Sequence, residues 1–410
     1  MKNIPFFTIL IITSLCIIIA QGKLGEYVYI DYVTIEGLEY FKSHNLSSPS
    51  SALNSINSTA LKALKNNQPY SVINTTVTPP NNNKQEYISY APYFWPFCGC
   101  DGKNVTDPET QCLYKQIDGK VNGDVEILSD PHDSTSMVRD VLSLSISYLL
   151  YNDEDFAKKA VELLDVWFVN NKTRMFPDVN YGQVVRGPGE WKGRPEGILD
   201  TRLYVYIPAA IRILTNSNTW NHNDNIDKGV KTWFANFSNW LMKSELGKNE
   251  SNAENNHATF YVAQLATYLN FTGRTKDAND LIGKFANTTF KDMILESGEQ
   301  PKESSRRKPY HYQCFNLEAL TYIAIFSQKI NGTTNLWETK TKYNATIQNA
   351  TDYLIHLNST EDKTVLLPAL YKVRDYYGDK FGVYADTMIK LLKETAGDSK
   401  WWTVYSPKSL

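Results

Sequence analysis

The sequence predicts an all-α protein built as an α/α toroid, an incomplete barrel of antiparallel helical hairpins. Apolar residues recur at helical spacing over most of the 410 residues, and no segment shows an equally persuasive strand alternation. Short connections between consecutive helical segments favour antiparallel neighbours, which must close or stack to bury all their apolar faces. An open solenoid is the alternative, and the lack of a repeat period in the sequence disfavours it.

Each helix is identified by apolar residues that fall on one face. Phe156, Ala160 and Leu163 begin such a face over 156–168, and the same spacing recurs over 203–214 and 226–241. Further helices are predicted at about 51–66, 135–151, 258–271, 277–291, 315–329, 342–357 and 380–394.

Two stretches, 86–130 and 171–200, are instead rich in Gly, Pro, Asp and aromatic residues. Loops of that length within a compact domain tend to carry function. We therefore expect the functional residues to lie in or next to these two aromatic-rich loops.

The first 22 residues have the layout of a cleaved signal peptide. Lys2 is followed by an apolar run from Ile9 to Ala20 and then by Gln21 and Gly22. This run is too short and too poorly flanked for a membrane anchor, and no later stretch is apolar enough to cross a bilayer. Acceptor sites for N-glycosylation, spread from Asn45 to Asn358, agree with a secretory product. We expect a secreted monomer in which residues 23–410 form a single domain.

Four cysteines remain once the leader is removed, namely Cys98, Cys100, Cys112 and Cys314. An even number suits an oxidising compartment. Only Gly99 separates the first two, so the bridges are expected to run to Cys112 and Cys314, with three pairings open. A metal site is the competing interpretation, which the short Cys-Gly-Cys spacing and the lack of a nearby His disfavour.

The charge balance excludes nucleic acid as a partner bound by electrostatic attraction. Lys and Arg number 42 against 44 Asp and Glu, which gives a net charge of −2 and no basic field. The chain also contains 26 Tyr and 9 Trp. Core packing explains most of these rings, but in a neutral secreted protein they also suit stacking against sugars.

Three patches combine polar groups with aromatic rings. The first runs from Tyr87 to Pro96, where two prolines stiffen a loop of rings suited to a pyranose; a hydrophobic plug is the plainer interpretation. The second is Asn255-Asn256-His257, where one Asn is expected to cap a helix and the helix start could also bind an anion. The third runs from Glu303 to Tyr312 and includes three consecutive cations; a solvated basic face is its plainer interpretation.

The second and third patches together suit β-elimination on a uronic acid sugar. The proton on C5 becomes removable when the neighbouring carboxylate is neutralised, and Asn, His and Arg donors supply that without a metal. A base must then take the C5 proton, and an acid must protonate the departing O4. A Tyr can do both if a nearby cation lowers its pKa from about 10 toward working pH.

Six motifs in order resemble the signatures of the alginate lyase family, with identifiable motifs from about residue 85 to 330. They are Tyr93-Phe94-Trp95-Pro96, the run Asp118 to Asn122, the stretch from Ser129 to Tyr181, the run Gly197 to Arg202, Asn255-Asn256-His257, and Arg306 to Tyr312 with Phe315-Asn316-Leu317. The resemblance implies an α/α toroid with a deep groove that cleaves polyuronates such as alginate or glucuronan. It also implies β-elimination without a metal or another cofactor.

The same resemblance implies roles for individual residues. Asn256 and His257 would neutralise the substrate carboxylate, Tyr312 would act as acid and base, and Arg306 would assist, with the adjacent Arg307 able to exchange with it. The residues expected to bind substrate are Tyr93, Trp95, Arg202, Arg307, Tyr310 and His311. The cysteines after Trp95 and the His311 and Tyr310 neighbours of Tyr312 depart from the family pattern, so the loop shape and the base stay open.

Two other functions compete with a lyase. A glycoside hydrolase would need two carboxylates flanking the scissile bond, for which the candidates are Asp118, Asp200, Glu254 and Glu303. A non-catalytic carbohydrate-binding protein would need no convergent groups at all. No residue discriminates among alginate, glucuronan and a mixed uronate as the polymer.

Overall fold

The computed structural model describes residues 51–99, 105–379 and 381–394, so the predicted leader and Cys100 lie outside the described residues. The longer helices are α1 (Ser51–Lys65), α2 (Asp130–Tyr151), α3 (Glu154–Leu164), α4 (Ile207–Leu214), α5 (Asp224–Lys243), α6 (Glu245–Ser251), α7 (Asn256–Phe271), α8 (Thr275–Asn287), α9 (Pro309–Lys329), α10 (Ile347–His356), α11 (Leu367–Tyr377) and α12 (Val383–Glu394). The strands are β1 (Ile88–Tyr90), β2 (Phe94–Phe97), β3 (Leu113–Gln116) and β4 (Tyr181–Val184). A 3₁₀ helix, Pro195–Tyr206, leads directly into α4.

The helices form an inner and an outer layer. The inner layer consists of α2, the 3₁₀ helix with α4, α7, α9 and α11, each packed against the next, and α3, α5, α8, α10 and α12 lie outside them. Helix α7 is buried almost all round, with 13 of its 16 residues inaccessible, whereas α8 buries only 4 of 13 along one stripe. This alternation is the arrangement of an α/α toroid, and the predicted all-α class is confirmed.

Neighbouring inner helices run in the same direction. Thr259 of α7 donates to Asn316 of α9 at 2.6 Å, and further along both helices Thr267 and Tyr322 are hydrogen-bonded at 2.9 Å. Because both residue numbers increase together, α7 and α9 are parallel and begin at the same end of the toroid. Their first residues can therefore contribute to one site.

The two predicted loops cover the end at which the inner helices begin. They contain strands that the sequence did not predict: β1 pairs in parallel with β4, and β2 pairs antiparallel with β3. The backbone N–H of Ile88 in β1 donates to Asp130, the first residue of α2, at 2.9 Å. Strands this short carry too little alternation to stand out in the sequence.

Several helix bounds differ from the prediction for identifiable reasons. Helix α9 begins at Pro309 rather than near 315, because a proline is well accommodated in the first turn. Helix α11 was not predicted, since its buried Lys372 and Arg374 interrupt the apolar pattern. The first residues of the 3₁₀ helix, from Pro195, lie within the predicted loop 171–200.

The expected disulfide pattern is half correct. Cys98 and Cys112 form a bridge at the end of the β2–β3 hairpin from which the connecting loop extends. Cys314 is a buried free thiol on inner helix α9, hydrogen-bonded with Tyr310, so the prediction that it joins a bridge is wrong. Its position in the toroid core removes it from the hairpin cysteines.

Asp130 gives the fold a pH dependence that can be tested. It is fully buried and its Oδ1 has no hydrogen-bond partner among the described residues, and burial raises its pKa to about 8. The folded protein then holds a proton that the unfolded chain releases near its ordinary pKa of about 4, so this residue makes stability fall as pH rises from about 4 to about 8.

We expect Asp130→Asn to remove that decline, because the amide can still accept the Ile88 N–H and carries no charge. Urea unfolding at pH 5 and pH 8 would show a smaller loss of unfolding free energy in the variant than in the wild type. The exposed residue Asp155 of α3 supplies the control as Asp155→Asn. Equal pH slopes in Asp130→Asn and the wild type would contradict the assignment.

Candidate active site

Asn256 lies at the start of α7 and is held by a buried carboxylate. Asn255 caps the helix by accepting the His257 N–H at 3.3 Å, as the sequence predicted. The backbone N–H of Asn256 donates to Glu303 Oε1 at 2.5 Å, and its side-chain Nδ2 donates to Oε2 at 2.8 Å. Glu303 therefore occupies the backbone donor that could have bound an anion, and the second hydrogen of the Asn256 amide is not committed to Glu303. Only 1% of Asn256 is exposed.

His257 is oriented by a second buried carboxylate, Glu250 of α6. The distance from His257 Nδ1 to Glu250 Oε1 is 2.7 Å, which leaves Nε2 as the other ring donor. Burial lowers the pKa of His257, but the hydrogen bond and charge of Glu250, with the charges of Glu196 and Glu303, outweigh it and raise that pKa overall. This pairing directs Nδ1 at Glu250 and favours the protonated form of the imidazole, in which both ring nitrogens are donors.

Arg306 contacts Asp118 and Tyr312. Its Nε and Nη2 donate to the two Asp118 oxygens at 3.2 and 2.7 Å, and this hydrogen bonding holds the pKa of Asp118 below its usual value. The guanidinium carbon lies 3.9 Å from the centre of the Tyr312 ring. Arg307 is exposed and its side-chain carbons lie against Gly119, so the geometry selects Arg306 as the arginine beside Tyr312.

Tyr312 shares a hydrogen bond with Tyr93 across the opening of the site. Their hydroxyl oxygens are 2.8 Å apart. Burial raises the pKa of Tyr312 well above its usual value, Tyr93 raises it further, and the charge of Arg306 only partly opposes them. The predicted lowering of this pKa by a nearby cation is thus outweighed, and Tyr312 rests as a neutral phenol.

Glu303 connects these groups into one cluster. It bonds Asn256 directly, and the charges of Arg306 and His257 both act on its carboxyl. Asn256, His257, Arg306 and Tyr312 therefore lie together at the starts of the two parallel helices α7 and α9. The sequence did not identify Glu250 and Glu303 as members of this cluster. Nothing in their local patterns marks them as partners of Asn256 and His257.

The residues predicted to bind substrate divide into two groups. Trp95 lies on β2, donates through Nε1 to the Lys120 carbonyl at 2.9 Å, and has Lys120 Nζ 4.3 Å from its ring. The ring of His311 stacks on Phe315 at 6.0 Å, and the Arg202 guanidinium lies 5.8 Å from the same Phe315 ring. Of these side chains, His311 contacts Tyr312, with 5.3 Å between the ring centres.

Tyr310 is placed differently from the prediction. Only 1% of it is exposed, its N–H donates to Glu361 at 3.0 Å, and its hydroxyl donates to the Lys363 carbonyl at 3.4 Å. The ring therefore packs toward the segment 361–363. A substrate role for Tyr310 has no support in this geometry.

The carboxylates considered for a hydrolase are engaged elsewhere. Asp200 is half-buried and accepts hydrogen bonds from Tyr87, Ser89 and Gln183. Glu254 pairs with Lys302 at the surface at 2.6 Å, and Asp118 and Glu303 hold Arg306 and Asn256. None of them forms a pair across a groove. In the part of the chain that the structure describes, no cluster of three or more His, Cys, Asp or Glu is arranged to hold a metal ion, and no helix could span a membrane.

The chain was compared with known proteins. The family model described as alginate lyase matches residues 71–364. The structure of an alginate lyase from Bacteroides ovatus is 26% identical, with a TM-score of 0.78 over 90% of this chain and 95% of that one. Alginate lyase A1-III from Sphingomonas species A1 is 11% identical over 81% of this chain and 88% of that one, at a TM-score of 0.48. No curated protein matches the chain. By the family match over most of its length, the chain belongs to the alginate lyase family and is a polysaccharide lyase.

Proposed function

We propose that this protein is a secreted lyase that cleaves a poly-uronate of the alginate or glucuronan type by metal-independent β-elimination. The observation that carries the proposal is the convergence of an amide, an imidazole held by Glu250, a guanidinium and a phenol at the starts of α7 and α9. Secretion rests on the leader sequence 1–22 and agrees with the Cys98–Cys112 bridge.

In this scheme the uronate carboxylate lies against Asn256 and His257. Nε2–H of His257 and the free amide hydrogen of Asn256 donate to the carboxylate oxygens. Negative charge that develops when C5 loses its proton is delocalised into this carboxylate, so fixed donors stabilise the transition state more than the ground state. Glu250 and Glu303 hold the two donors in place from behind.

Tyr312 serves both proton transfers. Its small phenolate fraction, stabilised by the Arg306 charge, takes the C5 proton. The C5–H electron pair forms the C4=C5 double bond, the C4–O4 bond breaks, and the departing O4 receives the proton from Tyr312. The tyrosine returns to its starting state, so one residue completes the cycle.

The reaction type can be read from the products. Purified protein would be incubated with polymannuronate, polyguluronate, glucuronan and neutral xylan, and new chain ends would be counted both as reducing sugar and as ultraviolet absorbance of the C4=C5 bond. We expect equal increments by both measures on at least one polyuronate, none on xylan, and the same rate with a chelator. Reducing ends without absorbance would establish a hydrolase, binding without either would establish a non-catalytic protein, and loss of rate with the chelator would contradict metal independence.

A further inference from the structure

The β2–β3 hairpin presents an exposed face that the catalytic cluster does not use. In the antiparallel register Trp95 lies opposite Lys115, and Phe97 lies opposite Leu113. Because side chains alternate along a strand, these four residues share one face. We call it the hairpin face.

The opposite side of the hairpin packs on the protein. Phe94 lies under the Arg194 guanidinium at 4.7 Å, and Tyr114 lies at the same distance from Arg186. The hairpin face, in contrast, is open: Phe97 is 58% exposed and Leu113 is 64% exposed. Exposed apolar side chains grouped in this way mark a surface that contacts another molecule.

The hairpin face continues from the catalytic tyrosines. The Ile117 N–H donates to the Tyr93 carbonyl at 2.8 Å, which extends the strand pairing by one residue. Tyr93 lies in the turn directly before β2, so the hairpin face begins next to it, and its hydroxyl bonds Tyr312. At roughly 3.3 Å per residue, Phe97 lies about 13 Å along the strand from Tyr93.

Both aromatic rings on this face, the exposed Phe97 and the half-buried Trp95, have a lysine next to them. Lys115 Nζ lies 3.9 Å from the Phe97 ring centre, and Lys120 Nζ lies 4.3 Å from that of Trp95. Neither lysine forms an ion pair with any residue that the structure describes. An apolar ring beside a free ammonium matches a uronate unit, which has an apolar sugar face and a carboxylate.

We propose that the hairpin face, ending at Phe97, Leu113 and Lys115, is an outlying subsite that binds uronate units of the polymer away from the bond being cleaved. The proposal rests on the proposed function and extends it, because it predicts that long chains bind better than short ones. The Cys98–Cys112 bridge continues the same register and fixes the end of this subsite.

The test is the double variant Phe97→Ala with Lys115→Ala. We expect KM for the long polymer to rise about tenfold, the effect of losing one ring contact and one ammonium. We expect kcat on the polymer, and both constants on a short oligouronate that reaches only the catalytic cluster, to be unchanged. The same double variant would also be made in inactive Tyr312→Phe protein. Its affinity for the polymer should be lower than that of Tyr312→Phe alone by the same factor, and this measurement needs no turnover.

The matched control is Leu61→Ala with Lys62→Ala on helix α1, where Leu61 is 44% exposed. It removes a similar apolar area and one charge at a distance from the hairpin, and should change nothing. Unchanged polymer KM and affinity in the hairpin variant would overturn the subsite, even if the enzyme cleaves polyuronates. Weakened polymer binding in a chain that forms no unsaturated product would support the subsite while refuting the lyase mechanism.

Discussion

Replacing Tyr312 by phenylalanine is expected to abolish turnover, with a loss of about 10⁴-fold, while largely sparing polymer binding. The substitution removes the one oxygen that the scheme uses for both proton transfers, and general acid–base catalysis contributes about 10²- to 10⁴-fold. The ring that lies 3.9 Å from the Arg306 guanidinium is retained, so the site keeps its shape. Formation of the C4=C5 absorbance measures turnover, and polymer affinity is measured separately.

Tyr93→Phe is the matched control, because it removes the partner hydroxyl at 2.8 Å without touching the reacting oxygen. It should cost less than Tyr312→Phe. The raised pKa of Tyr312 also predicts the direction of the pH dependence. Because the phenolate is the minor form, kcat/KM should increase about tenfold per pH unit. This increase should end where His257 loses its proton. Substantial activity in Tyr312→Phe would remove this residue from the chemistry.

Asn256→Ala and His257→Ala are each expected to lower kcat by about 10²-fold or more. Both side chains supply preorganised donors to charge that develops on the uronate carboxylate, and loss of one such donor typically has this effect. His257→Ala leaves Glu250 buried without this partner, and Asn256→Ala removes the side-chain donor to Glu303 while the backbone donor stays. Unfolding midpoints must therefore be measured alongside the rates.

Glu250→Gln separates orientation from charge at the same site. The glutamine oxygen can still accept Nδ1–H, so the ring keeps its direction, but the carboxylate charge that raises the His257 pKa is removed. We expect a smaller loss of kcat than in His257→Ala and an imidazole pKa, followed by NMR, that falls. Normal rates in His257→Ala with an intact fold would exclude the imidazole from carboxylate neutralisation.

Most helices could be predicted from the sequence, because a helix that buries one face has apolar residues at helical spacing. Inner helices such as α7 were recognised as apolar, although only the structure shows that α7 and α9 are parallel neighbours. Asn256, His257, Arg306 and Tyr312 could be selected by residue type and resemblance. Their buried supports, Glu250 and Glu303, could not, because their function depends on a fold that brings α6 and the segment before α9 onto α7.

Tyr310 shows a limit of reading adjacent residues as one patch. Two positions apart on a helix, Tyr310 and Tyr312 point to nearly opposite sides, so one faces the segment 361–363 and the other faces Tyr93. The pKa of Tyr312 could not be predicted from the sequence either. Its neighbour Arg306 was identifiable, but the burial that outweighs that cation is a property of the folded site.

The cystine at the end of the β2–β3 hairpin makes the way this protein is produced part of its biochemistry. A reducing bacterial cytoplasm would deliver the chain with two thiols at Cys98 and Cys112, and only the backbone between them would then join β2 to β3 covalently. Two equally pure preparations would then differ in their affinity for a long polymer. A thiol titration belongs beside every kinetic constant measured on this enzyme.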